Sequence, residues 1–456
     1  MIRSVEDHHQ ILNTWVYGQT ACPAKTLSHT ERFIFRITLK KITYTLGKGE
    51  NKRMKYDFTT LPERYGHDAI AVDLPTEGRG HFAGVTVKDG FDVIPMWVAD
   101  MNFVCLPDIQ QRIHERVDHP TFGYFNNRKE YYDSIIRWQK NRHGVTDLEP
   151  KHIGYENGVL GGVISALNVM CSRGDNVLLH SPTYVGFTGS IENNGYNIVH
   201  SPLYRDEEGV WRMDYEDMEK KIVDHKIHAA VICNPHNPCG RVWTKEELLK
   251  CMEIFERHHV YVVADEIWSD LMINGSQHVT VQSVNEYAKY HTVGMYAPSK
   301  TFNLAGLIGS YHIIYNDWLR ERVEKESSLS HYNSQNVLSM YGLIGAYSEN
   351  GEQWVDELNQ VLSDNVNYAV DFIEKNFKGC TLAKPQGTYM LYLHCEDFCK
   401  EHNMDMDTLL HKGWEVGVFW QDGRPFHDPY AIRINLALPT ERVKEAFDRL
   451  YENIFR

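Results

Sequence analysis

From about residue 150 onward, short apolar runs alternate with helical patterns. "DNVLLHSP" reads as a strand, "GFTGSIENNG" as a short helix closing on Gly195, and "YNIVHSPL" and "HAAVICNP" as two more strands. "TKEELLKCMEIFERH" predicts a helix: Thr244 and Glu247 have the spacing of a capping box, and Leu248, Leu249, Met252 and Phe255 form an apolar stripe. "VYVVADE" is a continuous β-branched run, the mark of a strand covered on both faces. "TVGMYA" reads as a buried strand, and "LAGLIGSYHII" runs into another. The alternation implies an α/β fold with a largely parallel sheet between helices. After about residue 330 the pattern changes. Trp354, Leu358, Val361, Leu362, Val366, Ala369, Val370 and Ile373 recur at helical spacing and predict a long helix. The short strands "TYMLYLHC" and "AIRINLAL" and a final helix follow, as in a smaller α+β domain.

Composition narrows the function. The chain has 456 residues, 42% of them hydrophobic and 24% charged, which suits a globular enzyme of two domains. A net charge of -14 makes nucleic acid an unfavourable partner, and no apolar run is long enough to cross a bilayer. Nine scattered cysteines, with no CxxC pair, predict reduced thiols, a cytoplasmic setting and no structural zinc. Residues 1–53 differ from the rest, with nine lysines and arginines against four acidic residues. The opening "MIRSVEDHHQ" carries acidic residues where a secretory signal would have a basic start. This extension is expected to be a poorly ordered arm without a catalytic role.

Candidate chemistry lies where strands end. In an open α/β sheet the ligand crevice lies at the carboxyl ends of the strands. Tyr184, Asn237, Asp265 and Lys300 all come at or just past such ends. A lysine is rarely buried unpaired, so Lys300 alone reads as a surface lysine in a loop; the alternative is an amine kept as a nucleophile for Schiff-base chemistry, and the company of the other strand-end groups argues for it. "YENGVLGGVISALNVM" is a glycine-punctuated turn opening an apolar helix, and free N–H groups there suit a phosphate. Arg433, inside the β-branched strand "AIRINLALP", is the kind of arginine that pairs with a bound carboxylate. Together these groups fit a phosphate-bearing pyridine aldehyde held by a lysine, with an acid at its ring nitrogen: pyridoxal 5'-phosphate.

The strings "YDF", "WVADMNF", "FGY", "SPTYVGF", "IENNG", "CNPHNPCGRVWTKEEL", "ADEIWSDL", "APSKTFNLAGL" and "IRINLALP" occur in that order from about residue 54 to the C-terminus. In this set the chain resembles the fold-type-I pyridoxal-phosphate enzymes of aminotransferase class I/II. Within them it is most similar to the cystathionine β-lyases of the MalY/PatB type, which are C–S lyases. The resemblance implies a large domain with a mostly parallel sheet between helices and a smaller α+β domain. The extension would occupy 1–53, the N-terminal part of the small domain 54–104, the large cofactor-binding domain 105–334, and the C-terminal small domain 335–456.

Carried over position by position, the resemblance implies that Lys300 forms the Schiff base and shuttles the substrate Cα proton. Asp265 would pair with the ring N–H, Asn237 would donate to the phenolic oxygen, and Tyr184 would stack on the ring. The N–H groups of Val159 and Leu160 would hold the phosphate, helped by Ser299, and Tyr124 would reach the phosphate of the neighbouring subunit in a homodimer. Arg433 would take the substrate carboxylate, and the Ala99 region would close over the substrate. Two positions depart from the pattern. Trp268 stands where the superfamily usually has Tyr and the β-lyases often His; an indole N–H donates but cannot accept a proton. Gly161 stands where the β-lyases often have Pro.

The implied activity is β-elimination from a β-thio amino acid, giving pyruvate, ammonia and a thiol. The alternative is an aminotransferase, which uses the same residues up to the loss of the Cα proton. A non-catalytic binding protein is disfavoured because Lys300, Asp265, Asn237 and Arg433 are all present. A fused DNA-binding module is disfavoured because the extension is short and lacks a helix-turn-helix pattern.

Overall fold

A computed structural model describes residues 54–329 and 333–456. The expectation for residues 1–53 lies outside the described residues. Residues Tyr56–Arg456 form one compact unit.

The strands, in chain order, are β1 (Ile94–Pro95), β2 (Ile153–Glu156), β3 (Asn176–Ser181), β4 (Asn197–Arg205), β5 (Trp211–Met213), β6 (Ala229–Cys233), β7 (Tyr261–Asp265), β8 (Thr292–Tyr296), β9 (Ser310–Ile313), β10 (Thr381–Leu382), β11 (Met390–His394), β12 (Val418–Phe419), β13 (Gln421–Asp422) and β14 (Ala431–Asn435). Eight of them form one sheet in the order β2-β9-β8-β7-β6-β3-β4-β5. Its centre, β4-β3-β6-β7-β8, is parallel. The edges β5, β9 and β2 run antiparallel to their neighbours.

Why the central strands read as unbroken apolar runs is plain from their packing. Ala230, Ile232, Val262 and Ala264 pack on one face with Leu248, Met252 and Phe255 of the helix Lys245–Arg257. Ala229, Val231, Cys233 and Val263 pack on the other face with Val163, Ala166 and Leu167 of the helix Val159–Met170. Alternate residues therefore serve opposite layers, and both layers are mainly apolar. The capping box is present at the start of Lys245–Arg257: Thr244 Oγ1 accepts from Glu247 N at 3.2 Å, and Glu247 Oε2 accepts from Thr244 N at 2.8 Å.

A second sheet, β10-β11-β14-β13, is wholly antiparallel. β1 pairs in parallel with β12, and Asn102 N donates to Ala437 O at 2.9 Å, so the stretch 94–102 joins the C-terminal elements. The long predicted helix spans Glu349–Asn376, and all eight residues of its predicted stripe are buried. The structure adds what periodicity did not reveal, among it β2 and the hairpin partner β5, two edge strands of four and three residues. No helix among the described residues is long and apolar enough to cross a membrane, and the eight cysteines among them are all free.

Leu362 is fully buried on the long helix. Leu362→Ala should cost about 2–5 kcal/mol of stability through the cavity it leaves. Equilibrium urea unfolding checks this, and a change under about 0.5 kcal/mol, as expected of an exposed site, would contradict it.

Candidate active site

The parallel strands deliver their chemistry to one place. Tyr184 follows β3, Asn237 follows β6, Asp265 ends β7, and Ser299 and Lys300 follow β8. With Val159, Leu160, Trp268 and Ala99 they line a single cavity of about 250 Å³. Arg433 stands beside it on β14, and its Nη1 donates to Asn237 Oδ1 at 2.9 Å. Tyr124 is not brought there; it is fully exposed on this chain.

Charge is held in this cavity under strain from desolvation. Lys300 Nζ donates to Ala99 O at 2.9 Å and lies 5.6 Å from the centre of the Trp268 ring. Burial, followed by the repulsion of Arg433, lowers the Lys300 pKa to about 8, against the opposing pull of Asp100 and Asp265. Asp265 is pushed up to about 7, chiefly by burial; the Ile267 N–H at 3.1 Å and the Lys300 charge act the other way. Burial lowers the Arg433 pKa to about 10.

The polar groups are oriented by their neighbours. Arginine has only donors, so its bond to Asn237 turns the amide oxygen toward Arg433 and leaves the Asn237 NH₂ for another partner. Arg433 also donates to Trp97 O at 3.2 Å and to Gln421 Oε1, while its buried Nε has no partner among the described residues. The helix Val159–Met170 starts from Gly158, whose φ of +78° favours glycine, and has no side-chain cap. Its first intrahelical bond is Gly162 N to Gly158 O, so the N–H groups of Val159 and Leu160 remain for an anion. Gly186 is required by the Tyr184 ring: a Cβ there would sit 2.4 Å from Tyr184 Cε1.

The Ala99 loop is a pinned wall. Asn435 Nδ2 donates to Val98 O and Asp100 O, and Asn303 exchanges hydrogen bonds with the backbone of Met101. Asp100 also pairs with Arg64 at 2.5 Å. Sequence reasoning missed one charge that acts on the cavity and part of the cavity's lining. Asp100 lies inside "WVADMNF", but its influence on Lys300 needs the tertiary contact. Ile308 lines the cavity from a left-handed conformation, φ +47°, which is rare for a β-branched residue and which the apolar run "LAGLIGSYHII" conceals.

Comparison with known proteins fits this geometry. The model of the family described as aminotransferase class I and II matches residues 92–450. The chain belongs to the aminotransferase class I and II family. Among curated members, it is 35% identical over 357 residues to cystathionine beta-lyase PatB of Bacillus subtilis (strain 168), covering 78% of this chain and 89% of that protein. An aspartate aminotransferase of Geobacillus stearothermophilus is 24% identical, covering 67% of this chain and 76% of that one. The crystal structure of the PLP-bound C-S lyase from Staphylococcus hominis superposes with a TM-score of 0.78 at 29% identity, covering 89% of this chain and 99% of that one.

The residues of this member suit a phosphorylated pyridine aldehyde. Free N–H groups stand at one end, and an amine with a lowered pKa faces the cavity. Asp265 takes a single protein N–H, from Ile267, so a ring N–H would supply the partner it lacks. The orphaned Nε of Arg433 can serve a carboxylate.

Asp265 raises the Lys300 pKa, so Asp265→Asn should lower it below about 8 in the cofactor-free chain. The pH dependence of Lys300 acylation, followed by mass spectrometry of its peptide, measures this. A midpoint that stays or rises would contradict the assignment.

Proposed function

We propose that the protein is a pyridoxal-phosphate-dependent C–S β-lyase that converts cystathionine- or cysteine-type β-thio amino acids to pyruvate, ammonia and a thiol. The observation that carries lyase over transferase is the higher identity and wider coverage of the match to the β-lyase relative than to the aspartate aminotransferase. Bound in the cavity, the cofactor supplies an aldehyde for the substrate amine and a ring that takes up the electron pair left at Cα.

The protein's own residues do the rest. Val159 and Leu160 N–H, with Ser299, hold the phosphate. Asp265 keeps the ring nitrogen protonated, the Asn237 NH₂ donates to the ring oxygen, and Tyr184 covers one face. Arg433 receives the substrate α-carboxylate on the side its Nε leaves open. Lys300, with a pKa of about 8, releases and takes up a proton at Nζ near neutral pH, as removal of the Cα proton requires. A thiolate then departs without needing another proton. Trp268 cannot shuttle one in any case.

The functional unit is a homodimer in this account. Tyr124, fully exposed on its own chain, completes the phosphate site of the neighbour. Residues 105–334 form the cofactor-binding part, with 54–104 and 335–456 as the small domain. The free cysteines support a cytoplasmic setting.

The deciding experiment is product partition. Loaded protein with L-cystathionine or L-cysteine and no keto acid should give pyruvate. Fast amino transfer to 2-oxoglutarate with no pyruvate from cystathionine would replace the lyase by the transferase. Lys300→Ala should lower the rate by about 10²-fold or more. Mixing inactive Tyr124→Phe and Lys300→Ala chains should restore part of the activity through hybrids; a fully active monomer in light scattering would contradict the shared site.

A further inference from the structure

The string "ADEIWSDL" contains three acids, and only Asp265 faces the cofactor cavity. Glu266 and Asp270 are buried and point elsewhere. We propose that Glu266 and Asp270 are positioning residues that clamp the Lys300 loop at its two ends through the hydroxyls of Tyr296 and Thr301.

Tyr296 is the last residue of β8 and Thr301 directly follows Lys300. Tyr296 Oη donates to Glu266 Oε2, and Thr301 Oγ1 donates to Asp270 Oδ2 at 3.0 Å. Each carboxylate is itself fixed by other donors. Glu266 accepts from Val281 N at 2.6 Å and stands 3.4 Å from His278 Nε2. Asp270 accepts from Trp138 Nε1 at 3.1 Å and pairs with His143 Nε2 at 3.2 Å. His143, Thr301 and the nearby Arg142 hold the Asp270 carboxyl below the usual range despite its burial.

Burying two carboxylates is costly unless their lone pairs are filled, and here they are filled mainly by rigid groups. The stretch Asp265–Asp270 therefore presents Asp265 and Trp268 to the cavity and uses Glu266 and Asp270 to hold the loop that carries the amine. The separation of Lys300 from Asp265 is set by one short segment rather than by the flexible lysine stem. A displacement of about 1 Å in such a group can cost on the order of 10²-fold in rate.

The inference rests on Lys300 being the cofactor lysine, not on which reaction follows. Its test compares Thr301→Val, which keeps shape and loses the hydroxyl, with Thr301→Ser, which keeps the hydroxyl, in the full chain loaded with pyridoxal phosphate. Thr301→Val should lower kcat about tenfold or more while KM stays within about twofold. The pH midpoint of the bound cofactor's visible absorbance, read without substrate, should rise by about half a unit or more as the Lys300 nitrogen, bonded to the cofactor in that state, shifts toward solvent. The groups that bear on that amine, Arg433, Asp100 and Asp265, are unchanged in both variants. Thr301→Ser should restore both readouts. Should Thr301→Val fail to fold, Tyr296→Phe puts the same question to the other clamp. A variant that loses thermal stability but keeps kcat and the absorbance midpoint would overturn the proposal. A shifted midpoint in a protein that yields no pyruvate would sink the lyase reading and leave the clamp standing.

Discussion

The Lys300 amine rests against the Ala99 carbonyl at 2.9 Å, in a cavity whose walls strip away most of its water. Burial and the nearby Arg433 lower its pKa from 10.5 to about 8, a penalty on the charged form of about 3 kcal/mol. With that penalty a larger share of the amine is neutral near pH 7 than for a solvated lysine, as the proposed role of nucleophile and base requires. Arg433 adds repulsion from β14, and Asp100 and then Asp265 answer with partial compensation. These opposing charges keep the amine between a solvated lysine and a neutral one.

Sustaining such a site requires backbone that cannot relax. The parallel strands β3, β6, β7 and β8 are covered on both faces, and each ends at the cavity. Their carboxyl ends place groups that are far apart in sequence, such as Tyr184 and Lys300, around one cavity. The antiparallel sheet adds the remaining wall: β14 carries Arg433, and Asn435 at its end ties down the loop of Ala99. The Ala99 loop and the C-terminal third of the chain thus meet at one side of the cavity.

Much of this was legible in the sequence because the relevant signals are local. The strand–helix alternation, the capping box at Thr244 and the stripe from Trp354 to Ile373 are patterns within one element. The positions of Tyr184, Asn237, Asp265 and Lys300 at strand ends followed from those patterns together with a general rule of α/β sheets. Contacts that depend on a partner from another element were not legible. Asp100 acts on Lys300 only through the fold, and the roles of Glu266 and Asp270 appear only when Tyr296 and Thr301 are seen beside them. Ile308 was hidden because a β-branched residue in an apolar run predicts strand, while its backbone adopts a left-handed turn. Edge strands β2 and β5 were not legible because four and three residues are too few for a period to register.

The central claim is that one amine, Lys300, holds the cofactor in this cavity. Borohydride reduction of the purified yellow protein, followed by proteolysis and mass spectrometry, tests it directly. The account predicts a single stable pyridoxyl adduct, on the peptide that contains Lys300. An adduct on a different lysine, or none on a protein that has bound the cofactor, would contradict it.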